Sequence, residues 1–500
     1  MTHFEQDVGI VTLTTKNDRE PQAASRCGPR LAAPGSRLPH AVGNILAVVV
    51  LIWASAGAGA TFTMAAQATR RAPEAGASFS VLYAFPAAAP NTLASPFGSQ
   101  PDTRPVMGRG NTVYGMTIEG GVNGTGVVYR YEMHSGRYTV LHTFSALDAN
   151  GDNEDGAYPG VALTPGPGNI FYGMATSGGQ NGSGTIFEIT SSGKFTVLHT
   201  FSALDANGNN EDGAYPLRDI VLGTDGNLYG TSRIGGENTC TLTSNGCGVA
   251  WTMEPSGNNF KVLHQFSPAE GHAASLLQAQ DGLFYGCAVW PGTSLNGTPL
   301  PSGILYRMAP SGANFEVLYT FSQTNASGEN TDGADCYEPF VETNLGVFYG
   351  AASYGGTDGN GTVFRYSLSN PGVVEVVHDF SATTAGENAD GAYPDGPLTP
   401  GRDGTLYSNA NAGGMNGSGV LFGIGPDGHF QVLHTFSATN PMTGANKDGA
   451  YPDLGMIFDE QDDSLIGIAV IGGHGSSAGI NYSGGTLYQL KLDGRSNGAP

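Results

Sequence analysis

Positive charge is scarce in this chain: 21 Lys and Arg stand against 43 Asp and Glu, a formal net charge of −22. Such a surface repels phosphate backbones and anionic lipid, so nucleic acid is not expected as a partner. Helical periodicity is also missing, because apolar residues fall in short alternating runs rather than at three- and four-residue spacing. Only one long apolar run exists, Asn44 to Ala54, with a strongly apolar core well short of the ~20 residues a spanning helix needs. Arg26, Arg30 and Arg37 precede it and small residues follow, the pattern of an export signal in residues 1–77. An uncleaved signal anchor is the alternative, and membrane contact is expected only through it. Gly-x-Ser-x-Gly, His-Glu-x-x-His and phosphate-loop patterns are all absent, so no residue set announces catalysis.

Cysteine is sparse too. Of five, Cys27 falls in the export segment, leaving Cys240, Cys247, Cys287 and Cys336, which allow three pairings. Cys240 and Cys247 share one Gly/Asn/Thr-rich loop, so a disulfide between them is expected in an oxidising compartment. Cys287 and Cys336 could pair only if the fold brings them together.

What the chain has in abundance is glycine, 77 residues, placed as punctuation in a repeat. One set of landmarks recurs seven times at a period of roughly 57 residues. A strand ending in Phe closes at Phe85, Phe144, Phe201, Phe266, Phe321, Phe380 and Phe436. An aromatic-rich Tyr-Gly strand recurs at Tyr114, Tyr172, Tyr229, Tyr285 and Tyr349, loosely at Tyr407, and in weak form at Leu465. Gly-x-apolar-aromatic follows, from Gly126 to Tyr129 through to Gly485 to Tyr488. Within one unit, residues 157–163, 170–175, 185–190 and 194–201 read as four short strands separated by turn residues. The fold class is therefore all-β, a seven-bladed propeller of four-stranded antiparallel blades over residues 78–492, with a flexible tail at 493–500. A β-solenoid fits a four-strand unit less well. The last blade runs out of chain after its third strand, while Phe79 to Phe85 forms an orphan strand upstream. That strand is expected to complete the seventh blade and close the ring.

These residues resemble the bacterial GloVer tandem repeat, found in choice-of-anchor tandem repeat GloVer-containing proteins. Phe348-Tyr-Gly350, Gly355-Gly356, Gly361-Thr-Val-Phe364 and Val376 to Phe380 carry the likeness best, and it extends over nearly all of residues 78–492. The resemblance implies an exported, propeller-like protein of unestablished activity. Some relatives carry a C-terminal sorting anchor, and residues 493–500 offer no apolar tail for one.

Chemistry is harder to place. His142, His199, His264, His378 and His434 occupy one repeat position, with Tyr83 and Tyr319 in the other two. Five equivalent histidines suit a packed amphipathic ring better than a catalytic base, which needs one special environment. Asp-Gly-Ala-Tyr-Pro recurs at Asp155, Asp212, Asp390 and Asp448, where Asp before Gly favours a turn that launches the next strand. The functional alternative lies in the acidic connections. Asp148, Asp152, Glu154 and Asp155, repeated as Asp205, Glu211 and Asp212, form a candidate binding face, and Asp148, Asn150, Asp152 and Asp155 have oxygen-ligand spacing for Ca²⁺. Asn123, Asn181 and Asn416 match a glycosylation sequon, although Asn-Gly turns explain them equally well.

The expectation is an exported, monomeric, non-enzymatic protein that binds glycan or protein at the cell envelope or outside the cell. The alternatives are a polysaccharide hydrolase or lyase using carboxylates, and a structural envelope protein. A channel lined by one lone cluster of Asp, Glu, His or Arg would favour the enzyme; a shallow face repeated seven times would favour the binder.

Overall fold

The computed structural model describes residues 77–216, 218–240, 245–289, 302–475 and 483–492. The expected export segment, all but its last residue, and the expected tail at 493–500 lie outside the described residues. Seven four-stranded antiparallel blades surround one axis, in chain order from Val106–Gly108, Thr112–Thr117, Val127–Glu132 and Arg137–Thr143 of blade one. Blades two to six span residues 164–200, 214–265, 272–320, 341–379 and 392–435. Blade seven contains Ala450–Asp459, Ser464–Ile471 and Thr486–Leu492, and its fourth, outermost strand is Ala77–Ala84. Ala77 lies opposite Leu492 and Ala84 opposite Thr486, so the first and last described strands share one sheet.

The recurring landmarks now have physical reasons. The glycine of Tyr-Gly on strand two sits beneath the aromatic ring of strand three: a Cβ on Gly173 would stand 2.5 Å from Cζ of Phe187 and 3.0 Å from Leu163. Its backbone conformation is ordinary, so space alone forbids a side chain. Blade six has Ser408 instead, and its hydroxyl donates to the carbonyl of Gly396. Gly173→Ala is expected to cost about 1–3 kcal/mol by overpacking, read as a lowered denaturation midpoint at unchanged m-value. An unaltered midpoint would mean that the aromatic ring yields freely.

Each blade-to-blade joint uses one backbone bond, from the residue at the Tyr position of Ala-Tyr-Pro to the glycine-rich loop of the preceding blade. The seven donors are Gln100, Tyr158, Tyr215, Ala273, Asp335, Tyr393 and Tyr451, at 2.8 to 3.1 Å. Gln100 donates to Gly484, which joins blade one to blade seven and closes the ring a second time. Gly126, Gly184, Gly361, Gly419 and Gly485 all have positive φ, and each faces the proline of the next blade, Pro101 serving blade one.

Strand one of blade two is shorter than its sequence suggests. Residues 157–163 do not form a continuous strand, since only Thr164–Pro165 pairs in the ladder and Ala157 makes an isolated bridge to Ser177. Tyr158 holds φ at 54° and Pro159 lacks an amide hydrogen, so the backbone cannot run extended there. Blade one also begins earlier than expected, with Gly98-Ser-Gln-Pro101 standing where other blades carry Gly-Ala-Tyr-Pro.

The histidines serve the joints. Each stacks on a Phe of the following blade at 3.7 to 4.0 Å between ring centroids: His142 on Phe195, His199 on Phe260, His264 on Phe315, His378 on Phe430 and His434 on Phe79. Their Nε2 atoms lie 2.8 to 3.3 Å from Asp155, Asp212, Glu270, Asp390 and Asp448. Tyr319 makes the same contact to Asp332 at 2.7 Å. Blade four, which lacks the Asp-Gly motif, keeps the contact through Glu270.

Burial alone would raise these carboxyls. Hydrogen bonds from the histidine and the following serine outweigh it and hold Asp155, Asp212, Glu270, Asp390 and Asp448 below the ordinary carboxylate value. A depressed folded pKa gives stability that is present above the unfolded value near ~4 and lost as pH falls through the folded value. Melting temperature should therefore drop below about pH 4, and Asp155→Asn should flatten part of that drop. An acid limb identical in the variant would assign it to other groups.

Both disulfides are formed. Cys240 and Cys247 are 5.0 Å apart between Cα atoms and close the loop in blade three. Cys287 of blade four reaches Cys336 of blade five at 6.0 Å, where Cys336 stands in the place of the joint proline. The pairing that spacing left open is thereby fixed.

Candidate functional site: a charged cluster at the channel

Residues that follow several of the joint motifs converge on one cleft, and here the repeat stops repeating. One cleft is lined by Arg104, Gly160, Arg218, Asp219, Glu338 and Leu454 among others. These come from blades one, two, three, five and seven, and only the ring axis can bring five blades to one cleft.

Two ion pairs join blades that are not neighbours. Arg218 Nη1 of blade three lies 2.7 Å from Glu338 Oε1 of blade five, with both side chains buried. Arg218 also lies over the Tyr337 ring, at 5.3 Å. Arg104 of blade one pairs with Asp219 of blade three at 2.5 Å, and the second Asp219 oxygen accepts the amide of Ala162 at 3.0 Å. Asp395 and Asp453 occupy the same position in blades six and seven, only 6% and 7% exposed. Ser353 Oγ donates to Asp395 Oδ1 at 3.3 Å, and the Leu454 amide donates to Asp453 Oδ1 at 2.8 Å.

Removing carboxylates from water favours their neutral form. Burial raises Glu338, against the pull of Arg218. Burial raises Asp395 also, with Arg218 opposing and Asp102 adding to the rise. Asp453 is pushed well up by burial and then by Asp395, Asp102 and Glu338. Asp335 takes the joint-tyrosine position in blade five; burial lifts it to about 7, with Arg233 opposing. In blades two, three, six and seven that position is a half-buried tyrosine with φ of 54° to 58°: Tyr158, Tyr215, Tyr393 and Tyr451. A tyrosine in the left-handed region costs roughly 1–2 kcal/mol, offset by the joint that fixes it.

The acidic connections are differently placed. Asp155 and Asp212 are engaged by His142 and Ser145, and by His199 and Ser202. Asp148 Oδ1 accepts the amides of Asn150 and Asp152 at 2.7 and 3.0 Å, and Asp205 accepts those of Asn207 and Asn209, so these acids shape exposed turns. Glu154 and Glu211 are exposed beside them. Among the described residues, no group of three or more His, Cys, Asp or Glu is placed to hold a metal ion. The sequon asparagines Asn123, Asn181 and Asn416 donate to the carbonyls of Phe144, Phe201 and Phe436 at 2.8 to 2.9 Å, which accounts for them as turn residues.

The fold and its channel define a seven-bladed β-propeller repeat protein. The sequence matches the Gloeobacter/Verrucomicrobia repeat over residues 58–243 and 239–482, and the chain belongs to that family. No curated protein matches it. Among solved structures it is similar to an oligogalacturonate lyase in complex with manganese, at 12% identity and TM-score 0.48, over 83% of this chain and 96% of that one. A Mycobacterium tuberculosis puromycin-hydrolyzing peptidase matches at 13% and 0.44, over 78% of this chain; the match spans only 53% of the peptidase. A luciferin-regenerating enzyme matches at 11% and 0.36, over 80% of this chain and 94% of that one.

Proposed function

We propose that this is an exported, non-enzymatic propeller that binds a glycan at the mouth of its channel. One observation carries the reading: among the described residues, a buried set of unlike charges, Arg218, Glu338, Asp395 and Asp453, gathers behind the joint motifs, and half-buried Tyr215, Tyr393 and Tyr451 precede three of its four members. Carboxylates and guanidinium groups bond sugar hydroxyls, and aromatic faces pack on sugar C–H surfaces. Two disulfides support an oxidising, extracytoplasmic compartment.

A lone charged cluster is also what a polysaccharide hydrolase or lyase would carry, and the proton affinity of Asp335, about 7, would suit a general acid. The cleft argues for binding. Two catalytic carboxylates must be free to flank a scissile bond, whereas Asp219 and Glu338, the two carboxylates that line this cleft, are each paired with an arginine. Glycan-array screening of the purified protein, with Asp395→Asn and Asp453→Asn alongside, tests the reading. Selective binding that both variants weaken is expected. No glycan bound, or binding indifferent to both variants, would overturn it. Release of reducing ends or unsaturated fragments from a polysaccharide would instead establish the enzyme.

A further inference from the structure

One joint of the ring is built unlike the other six. Four residues before the histidine or tyrosine of the joint position stands an aromatic residue: Phe79, Tyr138, Phe195, Phe260, Phe315 and Phe430. Each stacks on the joint ring of the blade before it, at 3.7 to 4.2 Å between centroids. Each also lies 4.6 to 5.7 Å from the aromatic ring of its own third strand. Blade five carries Val374 there instead. Tyr319 of blade four therefore has no ring to stack on across the joint, and its one ring contact among the described residues is Phe321 of its own blade. An apolar cavity lies at the same joint, lined by Tyr285 and Leu318 of blade four and by Phe364 and Tyr366 of blade five among others. Val374 stands opposite Tyr366 in the ladder. Across this joint, and no other among the described residues, runs a disulfide, from Cys287 to Cys336.

We propose that this disulfide is a redox lock on the ring. Oxidised, it holds blades four and five together where the aromatic stack is missing; reduced, it lets that joint open while the other six stay shut. Stacked rings and filled space give those six joints a cohesion that valine beside a cavity cannot. A crosslink between residues 49 apart restores it by restricting the open state. In the reducing step a dithiol supplies two electrons and two protons. The S–S bond breaks, Cys287 and Cys336 become thiols, and the reductant closes to its own disulfide. Both cysteines are fully buried, so an attacking thiolate reaches them only when the joint parts, and the cavity and missing ring favour parting here. The lock also reaches the channel. Glu338 lies two residues beyond Cys336 and pairs with Arg218 of blade three, so opening the joint displaces one half of that ion pair.

The test is hydrogen exchange of the folded full chain with and without dithiothreitol, read by mass spectrometry at the joint amides, with thiol labelling to count reduced cysteines. The Asp335 amide donates to Ser302 across this joint. It is expected to exchange at least about tenfold faster once Cys287 and Cys336 are thiols, while the joint amides of Tyr158, Tyr215, Tyr393 and Tyr451 stay within about twofold. The same contrast should persist in Cys240→Ala/Cys247→Ala, which removes the other disulfide. Phe430→Val copies the gap to the joint of blades five and six, which no disulfide crosses. There the Tyr393 amide should exchange faster to the same degree with or without the reductant. Reduction that speeds no joint amide, or all of them alike, would overturn the lock, as would cysteines that yield only when the whole ring unfolds. Phe430→Val without effect on Tyr393 would overturn it too, because the aromatic at that position would then hold no joint.

Discussion

Removing residues 77–84 is expected to lower the melting temperature by at least about 10 °C and to make the protein aggregate. This segment supplies the fourth strand of blade seven, paired along its whole length with Thr486–Leu492. Phe79 stacks on His434 at 3.9 Å and packs against Phe436 and Tyr488, the role filled elsewhere by Phe195, Phe260, Phe315 and Phe430. Deletion therefore removes a ladder and the aromatic floor of the histidine joint between blades six and seven together. It also bares the edge of Thr486–Leu492, a template for pairing with another chain. Thermal melts with light scattering measure both effects. A deletion variant that melts and dissolves like the parent would show that the joint from Gln100 to Gly484 closes the ring unaided.

Arg218→Met should be the most damaging single substitution at the channel, costing about 3–5 kcal/mol. Methionine keeps much of the stem volume but leaves Glu338 buried without its cation. The effect should shrink at acid pH, where Glu338 is protonated. Its raised folded pKa means that its stabilising protonation is complete below the unfolded value near ~4 and lost as pH rises. Arg218→Met combined with Glu338→Gln should recover most of the loss at pH 7. A double variant as unstable as the single would show that the arginine acts through packing on Tyr337 rather than through charge.

The contrast between ring and channel explains what the sequence makes legible. Blade architecture, the closing strand and the histidine position were readable because Phe85 to Phe436 and the glycine landmarks recur in fixed order. Glu270 was not, because it lies three residues after Ser267 where the other acids lie nine to eleven after theirs. Gly98 to Pro101 was missed for the same kind of reason, since Gln100 and Ser99 replace Tyr and Ala. The channel cluster is the deepest omission. Arg218, Glu338, Asp395 and Asp453 each follow a joint motif, at the point where the repeats diverge, and periodicity discards what does not recur. The usable signal was that divergence itself: Leu-Arg-Asp, Tyr-Glu-Pro, Asp-Gly-Pro and Asp-Leu-Gly behind a shared landmark. Asp148 and Asp152 drew attention because they are crowded in sequence, yet turn formation accounts for their bonds.

The central claim is that the channel keeps buried carboxylates at a cost to stability because they serve a ligand. Asp453→Asn tests it without knowledge of that ligand. Asparagine keeps the acceptor for the Leu454 amide and removes the charge that burial and Asp395 oppose. A carboxyl with raised folded pKa loses its contribution as pH climbs from the unfolded value near ~4 through the folded one, so the gain should be largest at pH 8 and absent at pH 4. The account predicts that Asp453→Asn melts several degrees higher than the parent at pH 8, a gain on the order of 2 kcal/mol. A variant that melts lower at pH 8 would show that the carboxylate holds the channel together, and would contradict the account.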